Sequence, residues 1–140
     1  ASDVYKRQLR TAAANAQVLG LANRALWLCG SWVSPVSWQF DLVVSNPPYI
    51  ASGAIATLDR GVRAYDPALA LDGGPDGLAA YRAIIPALRP VMQPTGAAFL
   101  EIGCTQAAEV TGIARRSGFH AQTAMDLAGM PRCVALMPEI

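Results

Sequence analysis

Pro47-Pro48, set two residues beyond the apolar run Leu42-Val43-Val44, constrains the folding of this chain more than any other feature. Two consecutive residues with fixed φ and no backbone N–H cannot extend a sheet ladder, so a strand over Asp41–Val44 has to end there. An unbroken Leu-Val-Val run is the pattern of a strand buried on both faces, as in a parallel sheet. The tetrapeptide Asn46-Pro47-Pro48-Tyr49 therefore lies at the carboxyl end of a strand, where open α/β sheets bind ligands.

The chemistry of that loop follows from what it lacks. Pro47 and Pro48 bring carbonyl acceptors without donors, and Asn46 adds a side-chain oxygen. A planar NH2 group offers two N–H donors, which Asn46 and the Pro47 carbonyl can accept while the Tyr49 ring lies against its flat face. The lone pair of an amide nitrogen is delocalised, so its reaction needs a strongly activated electrophile such as the sulfonium methyl of S-adenosylmethionine. The loop would act by orientation and electrostatics.

The rest of the chain alternates strands with helices. A strand closing near Asp3 is followed by a helix from about Leu9 to Leu19 that stops at Gly20; Ala25–Cys29 and Asp41–Val44 read as strands. Residues 50–70 form an irregular loop placed to cover a substrate. Leu71-Asp72-Gly73-Gly74-Pro75-Asp76-Gly77 fits neither a calcium loop nor a Walker loop, and reads as a turn in which Asp76 or Asp72 caps a helix over Leu78–Leu88. A strand over Ala97–Ile102, a helix over Gln106–Arg116 and strands over Phe119–Thr123 and Cys133–Met137 complete the order β-α-β-β-α-β-α-β-β. This predicts an α/β fold: a mostly parallel sheet covered on both faces, with the last two strands pairing antiparallel at a mixed edge.

Composition narrows the class. With 140 residues, 53% of them hydrophobic and 15% charged, the chain fits one globular domain, and a net charge of +1 gives no basic track for nucleic acid. Cys29, Cys104 and Cys133 lack metal-ligand spacing and read as reduced thiols in or near the core. Neither a membrane span nor a signal peptide is visible, so a cytoplasmic location is expected. His120, the single histidine, lies away from the motif and is not expected to act as a base.

These residues resemble the release-factor glutamine methyltransferases, a class I S-adenosylmethionine-dependent family. The resemblance rests on Asn46-Pro47-Pro48-Tyr49-Ile50; Ala68 to Leu78 followed by Tyr81-Arg82; Leu100-Glu101-Ile102-Gly103; and Asp126-Leu127-Ala128-Gly129 with Arg132. It implies methylation of N5 of the Gly-Gly-Gln glutamine in peptide-chain release factors, which would be the protein partners. It also implies a Rossmann-like sheet with an antiparallel edge strand, S-adenosylmethionine as cofactor, and Asn46, Pro47, Pro48 and Tyr49 as the catalytic and substrate-binding residues. Asp3 would meet the cofactor ribose, Trp32 the adenine, and Asn46 the methionine end. Ser31 stands where the family commonly has Asp. The family's first strand and glycine-rich turn are expected before residue 1, making residues 1–140 the C-terminal part of a catalytic domain that would be inactive alone. Alternatives are an amino-methyltransferase acting on a nucleic-acid base and a non-catalytic remnant. Arg63, Tyr65, Asp66 and Arg132 are candidates for partner contact or loop tethering.

Overall fold

The computed structural model describes residues 3–34 and 36–139, which fall into two compact units divided between Ser37 and Trp38. The first unit is built on helix α1, Asp3–Val18, rich in alanine at positions 12–14 and 16. Its end is the predicted one: Gly20 turns left-handed (φ 69°), Leu21 N–H donates to the Ala16 carbonyl at 2.7 Å and Gly20 N–H to the Gln17 carbonyl at 3.1 Å. Two expectations fail here. Asp3 opens α1 instead of closing a strand, because Lys6, Arg7 and Gln8 are good helix formers that extend the helix toward the N-terminus. Ala25–Cys29 is not a strand, since no ladder engages it among the described residues, although Ala25 itself is extended (φ −127°, ψ 137°). Cys29 is exposed rather than near a core.

The second unit holds a four-stranded sheet. Strands β1 (Phe40–Ser45), β2 (Met92–Glu101), β3 (Phe119–Met125) and β4 (Pro131–Pro138) stand in the order β1-β2-β4-β3. β1 and β2 are parallel, and β4 is antiparallel to both β2 and β3. The sheet is mixed as expected, with the reversed strand one place in from the margin. β2 begins earlier than Pro94 and Gly96 suggest. Between the pairs Phe40–Met92 and Leu42–Ala97 the register slips, so Pro94 has no ladder bond to lose and Gly96 sits where a Cβ would meet the Phe40 carbonyl at 2.9 Å.

Residues 50–70 are more ordered than expected: they form a 3-10 turn over Ser52–Thr57 and the short helices α2 (Arg60–Tyr65) and α3 (Ala68–Leu71). The longer helices α4 (Ala79–Leu88) and α5 (Ala107–Arg116) follow. α4 buries Tyr81, Ile84, Ile85 and Leu88 at helical spacing, and α5 buries Val110, Ile113 and Ala114 against α4, β3 and β4. Ala98 and Leu100 of β2, Val134 and Leu136 of β4 and Phe119 of β3 complete this core. Among the described residues of this unit, helices α4 and α5 lie on one face of the sheet. The other carries Leu42, Val44 and Phe99, all exposed.

Candidate functional site

The loop after β1 is pinned from below by the glycine-rich segment. Ile50 N–H donates to the Leu71 carbonyl (3.1 Å) and Gly73 N–H to the Ile50 carbonyl (2.8 Å), a parallel bridge of one residue pair. The fit is close: a Cβ on Gly73 would meet the Pro48 carbonyl at 2.9 Å, and one on Gly77 would overlap the Tyr49 carbonyl. Gly74 and Gly77 are also left-handed, with φ of 88° and 75°. Asp72 holds this segment by accepting from Ser52 Oγ (2.7 Å) and Gly74 N–H (2.8 Å), contacts that lower its pKa, the Ser52 bond foremost. Asp76 accepts from Leu78 N–H (3.1 Å) at the entry to α4 and takes both guanidinium nitrogens of Arg82 (2.9 and 2.6 Å). The predicted helix-entry role therefore belongs to Asp76.

Above the loop lies an open cleft of about 360 Å³ at the carboxyl ends of β1 and β2, lined by Val44, Ser45, Asn46, Phe99, Glu101, Arg132 and Cys133. A hollow of similar size at the opposite end of the sheet, beside Gln39, Arg89 and Pro138, contains no motif residue. Asn46 is exposed to the cleft, and among the described residues no hydrogen bond engages its side chain or the Pro47 carbonyl. Tyr49 does not line the cleft but stands behind Glu101, donating its hydroxyl to Glu101 Oε1 at 3.1 Å. Burial and then the Glu101 carboxylate raise the Tyr49 pKa, so the phenol remains a donor at neutral pH. Tyr81, fully buried, donates to the Glu101 carbonyl at 2.8 Å and fixes the strand end from the α4 side.

Arg132 borders the same cleft and tethers its own loop: its Nε donates to Asp126 Oδ2 at 3.4 Å, while Asp126 Oδ1 accepts from Ala128 N–H (2.9 Å) and Met130 N–H (3.0 Å). Arg63 likewise tethers, to the Ala56 carbonyl (3.0 Å), and Tyr65 and Asp66 are exposed. His120 is exposed on β3 at the end of the sheet remote from Asn46. Among the described residues no cluster of His, Cys, Asp and Glu could hold a metal.

Asn46, Pro47, Pro48 and Tyr49 thus share one loop of the second unit. The side chain of Asp3 lies outside the described residues. Trp32, in the first unit, is about half exposed and left-handed (φ 51°), a conformation that bulky residues rarely adopt and that often marks a functional position. Two residues have roles larger than the sequence indicates. Glu101, whose place at a strand's carboxyl end allows either a cleft-lining or a structural or solvated role, lines the cleft and also holds Tyr49. Gln106, read only as a helix start, sends its side chain back to three loop segments: Nε2 donates to the Tyr49 carbonyl (3.0 Å) and the Gly77 carbonyl (3.2 Å), and Oε1 accepts from Gly103 N–H (3.0 Å).

A reversed strand slotted between two strands of common direction, with the ligand loops at the carboxyl ends, makes this a class I methyltransferase fold. The same fold is found in the crystal structure of a ribosomal protein L11 methylase from Lactobacillus delbrueckii subsp. bulgaricus, with a TM-score of 0.64 and 16% identity, covering 99% of this chain and 55% of that one. In sequence, the chain is 41% identical over 133 residues to the release factor glutamine methyltransferase of Rhodospirillum rubrum, covering 94% of this chain and 41% of that protein. Against its counterpart in Caulobacter vibrioides it is 45% identical over 134 residues, covering 94% and 46%. The chain is a homologue of the release factor glutamine methyltransferases and spans somewhat less than half the length of these relatives. No family model matches it.

Proposed function

We propose that the protein carrying this chain transfers a methyl group from S-adenosylmethionine to the side-chain amide nitrogen, N5, of the Gly-Gly-Gln glutamine in peptide-chain release factors. The observation that carries this reading is the unspent Asn46 amide at the cleft, followed in the loop by the buried Pro47, whose carbonyl likewise has no hydrogen bond among the described residues, in a chain whose relatives bear that name. The cleft suits the cationic end of the cofactor, offering the Glu101 carboxylate and the Asn46 amide oxygen next to the apolar wall of Val44 and Phe99. Asp3 and Trp32 would hold the ribose and adenine. The bound cofactor supplies an electrophilic methyl on a positively charged sulfur.

The protein's part is to present the nucleophile. The two N–H bonds of the glutamine amide point at Asn46 Oδ1 and the Pro47 carbonyl, which fixes the plane of the amide and turns its nitrogen toward the methyl donor. Tyr49, set back from the cleft, serves the site through its phenol, which anchors the end of the loop on Glu101. These acceptors gain strength as positive charge builds on the nitrogen, so their stabilisation is greater in the transition state than in the ground state. No residue has to remove a proton first, because the alkylated nitrogen is acidic and releases its proton to water.

The test is methyl transfer from labelled cofactor to a purified release factor, using the full-length protein beside its Asn46→Ala variant. Loss of one orienting acceptor is expected to slow transfer by about a hundredfold. Labelling of duplex DNA or ribosomal RNA, with the release factor unlabelled, would overturn the substrate assignment.

A further inference from the structure

We propose that Gln106 is a positioning residue for the Asn-Pro-Pro-Tyr loop, locking together the motif, the glycine-rich segment and the end of β2. The inference rests on the methyltransferase reading for its catalytic consequence, and on geometry alone for the clamp. A side-chain amide has two donor hydrogens, and here each serves a different loop: one the Tyr49 carbonyl at 3.0 Å, the other the Gly77 carbonyl at 3.2 Å. The amide oxygen is occupied as well, accepting from Gly103 N–H at 3.0 Å. Both nitrogen partners are carbonyls and the oxygen partner is a donor, so only one orientation of the amide satisfies all three.

This side chain stands at a helix-cap position but does not act as a cap. Gln106 occupies the N-cap position of α5 (φ −98°, ψ 0°) but makes no side-chain cap bond, and glutamine is not among the favoured N-caps. Its backbone instead closes the turn, donating to the Gly103 carbonyl at 2.9 Å. The surroundings are shaped to admit it: a Cβ on Gly77 would stand 2.7 Å from Gln106 Nε2, and one on Gly103 would stand 3.0 Å from Gln106 Oε1. Tyr49 is consequently held at both ends, by Gln106 at its carbonyl and by Glu101 at its phenol, leaving Asn46 as the exposed part of the loop.

The decisive variants in the full-length protein are Gln106→Met, which keeps length and volume without the donors, and Gln106→Glu, which keeps the acceptor but turns a carboxylate toward two carbonyls. Two readouts are taken. Steady-state methylation of release factor is expected to lose about ten- to a hundredfold in kcat, with KM within about threefold, as misplacement of an orienting loop does. Hydrogen exchange at the amides of Ile50 and Gly73 is expected to quicken by about tenfold or more, the loss of roughly one hydrogen bond's worth of protection. Glu139, whose N–H donates to the Gly118 carbonyl at the other end of the sheet, should keep its rate. A kcat within about twofold of wild type in both variants, or exchange rising equally at Glu139, overturns the proposal. If the wild-type protein fails to methylate release factor, the function assigned above fails while the exchange rates still decide the clamp.

Discussion

The two units are held by different means. In the second, side chains bond across loops at nearly every turn of the cleft edge, and Tyr81, Leu100, Ile102 and Val134 are completely buried. In the first, among the described residues, one side-chain hydrogen bond is present, from Thr11 to the Arg7 carbonyl at 3.2 Å, and Leu19, Leu26, Trp27 and Leu28 are exposed. Both units contain apolar runs that read as structure, so the contrast separates two things such a run can mean. In Leu42-Val43-Val44 a neighbouring strand supplies a ladder. In Ala25–Cys29 none of the described residues does, and the run stays irregular.

The largest expected effect tests that contrast directly. Leu100 is fully buried and paired with both Ser45 and Val134, so Leu100→Ala should cost about 3 kcal/mol in urea unfolding, within the span known for buried leucines. Leu26 is 80% exposed, and Leu26→Ala should change stability by less than about 0.5 kcal/mol. Comparable losses for the two would mean that Leu26 has a packing partner. Glycine gives a second pair of the same kind. Gly20 and Gly77 are both left-handed, but a Cβ on Gly20 meets nothing within 4 Å, whereas one on Gly77 overlaps the Tyr49 carbonyl. Gly20→Ala should cost about 1 kcal/mol for conformation alone, and Gly77→Ala about 2 kcal/mol or more because backbone has to move as well.

Tyr49→Phe is expected to cost less, about 1 kcal/mol, since the phenol gives up one hydrogen bond that water can partly replace. Its pH signature has a definite sign. The folded-state pKa of Tyr49 is raised, so the stability it contributes is intact below pH 10 and is lost as pH rises further. Unfolding followed from pH 9 to 11 should therefore show a steeper loss in wild type than in Tyr49→Phe. Equal slopes would place the burial and the Glu101 bond elsewhere.

Much of this was legible in the sequence because local chemistry and tertiary structure agree. The prolines stop β1 where expected, Gly20 ends α1, and the final hairpin follows its apolar pattern. Where sequence reading failed, a partner decided the outcome. Pro94 and Gly96 look like breakers, but both lie in a register slip where no ladder bond is required. Ala25–Cys29 has strand composition, yet a strand is a pairing and not a property of one segment. At the site, Asn46 and its neighbours announced themselves by type and order, whereas Gln106 carries no signal, because its three partners come from residues 29 to 57 positions earlier and from a turn beside it.

The smallest effect concerns how the helices of the two units are terminated. The stop of α1 consists of backbone hydrogen bonds and has nothing to titrate. The start of α4 depends on Asp76, whose carboxyl is drawn down to about 2, first by the Arg82 guanidinium and then by Leu78 N–H. A lowered folded-state pKa means that the contribution is present above pH 3.8, the ordinary carboxyl value, and disappears as pH falls to about 2. Because the pair is solvent-exposed, the effect should show locally before it shows in global stability. Residue-resolved NMR from pH 5 to 2 is expected to show the amide of Leu78 losing protection across that window while Leu21, bonded to Ala16, keeps its own until global unfolding. Asp76→Asn should retain an acceptor for Leu78 but lose the Arg82 pairing, so its Leu78 protection should be nearly independent of pH. If the variant titrates like wild type, the acid sensitivity of the α4 entry comes from some group other than Asp76.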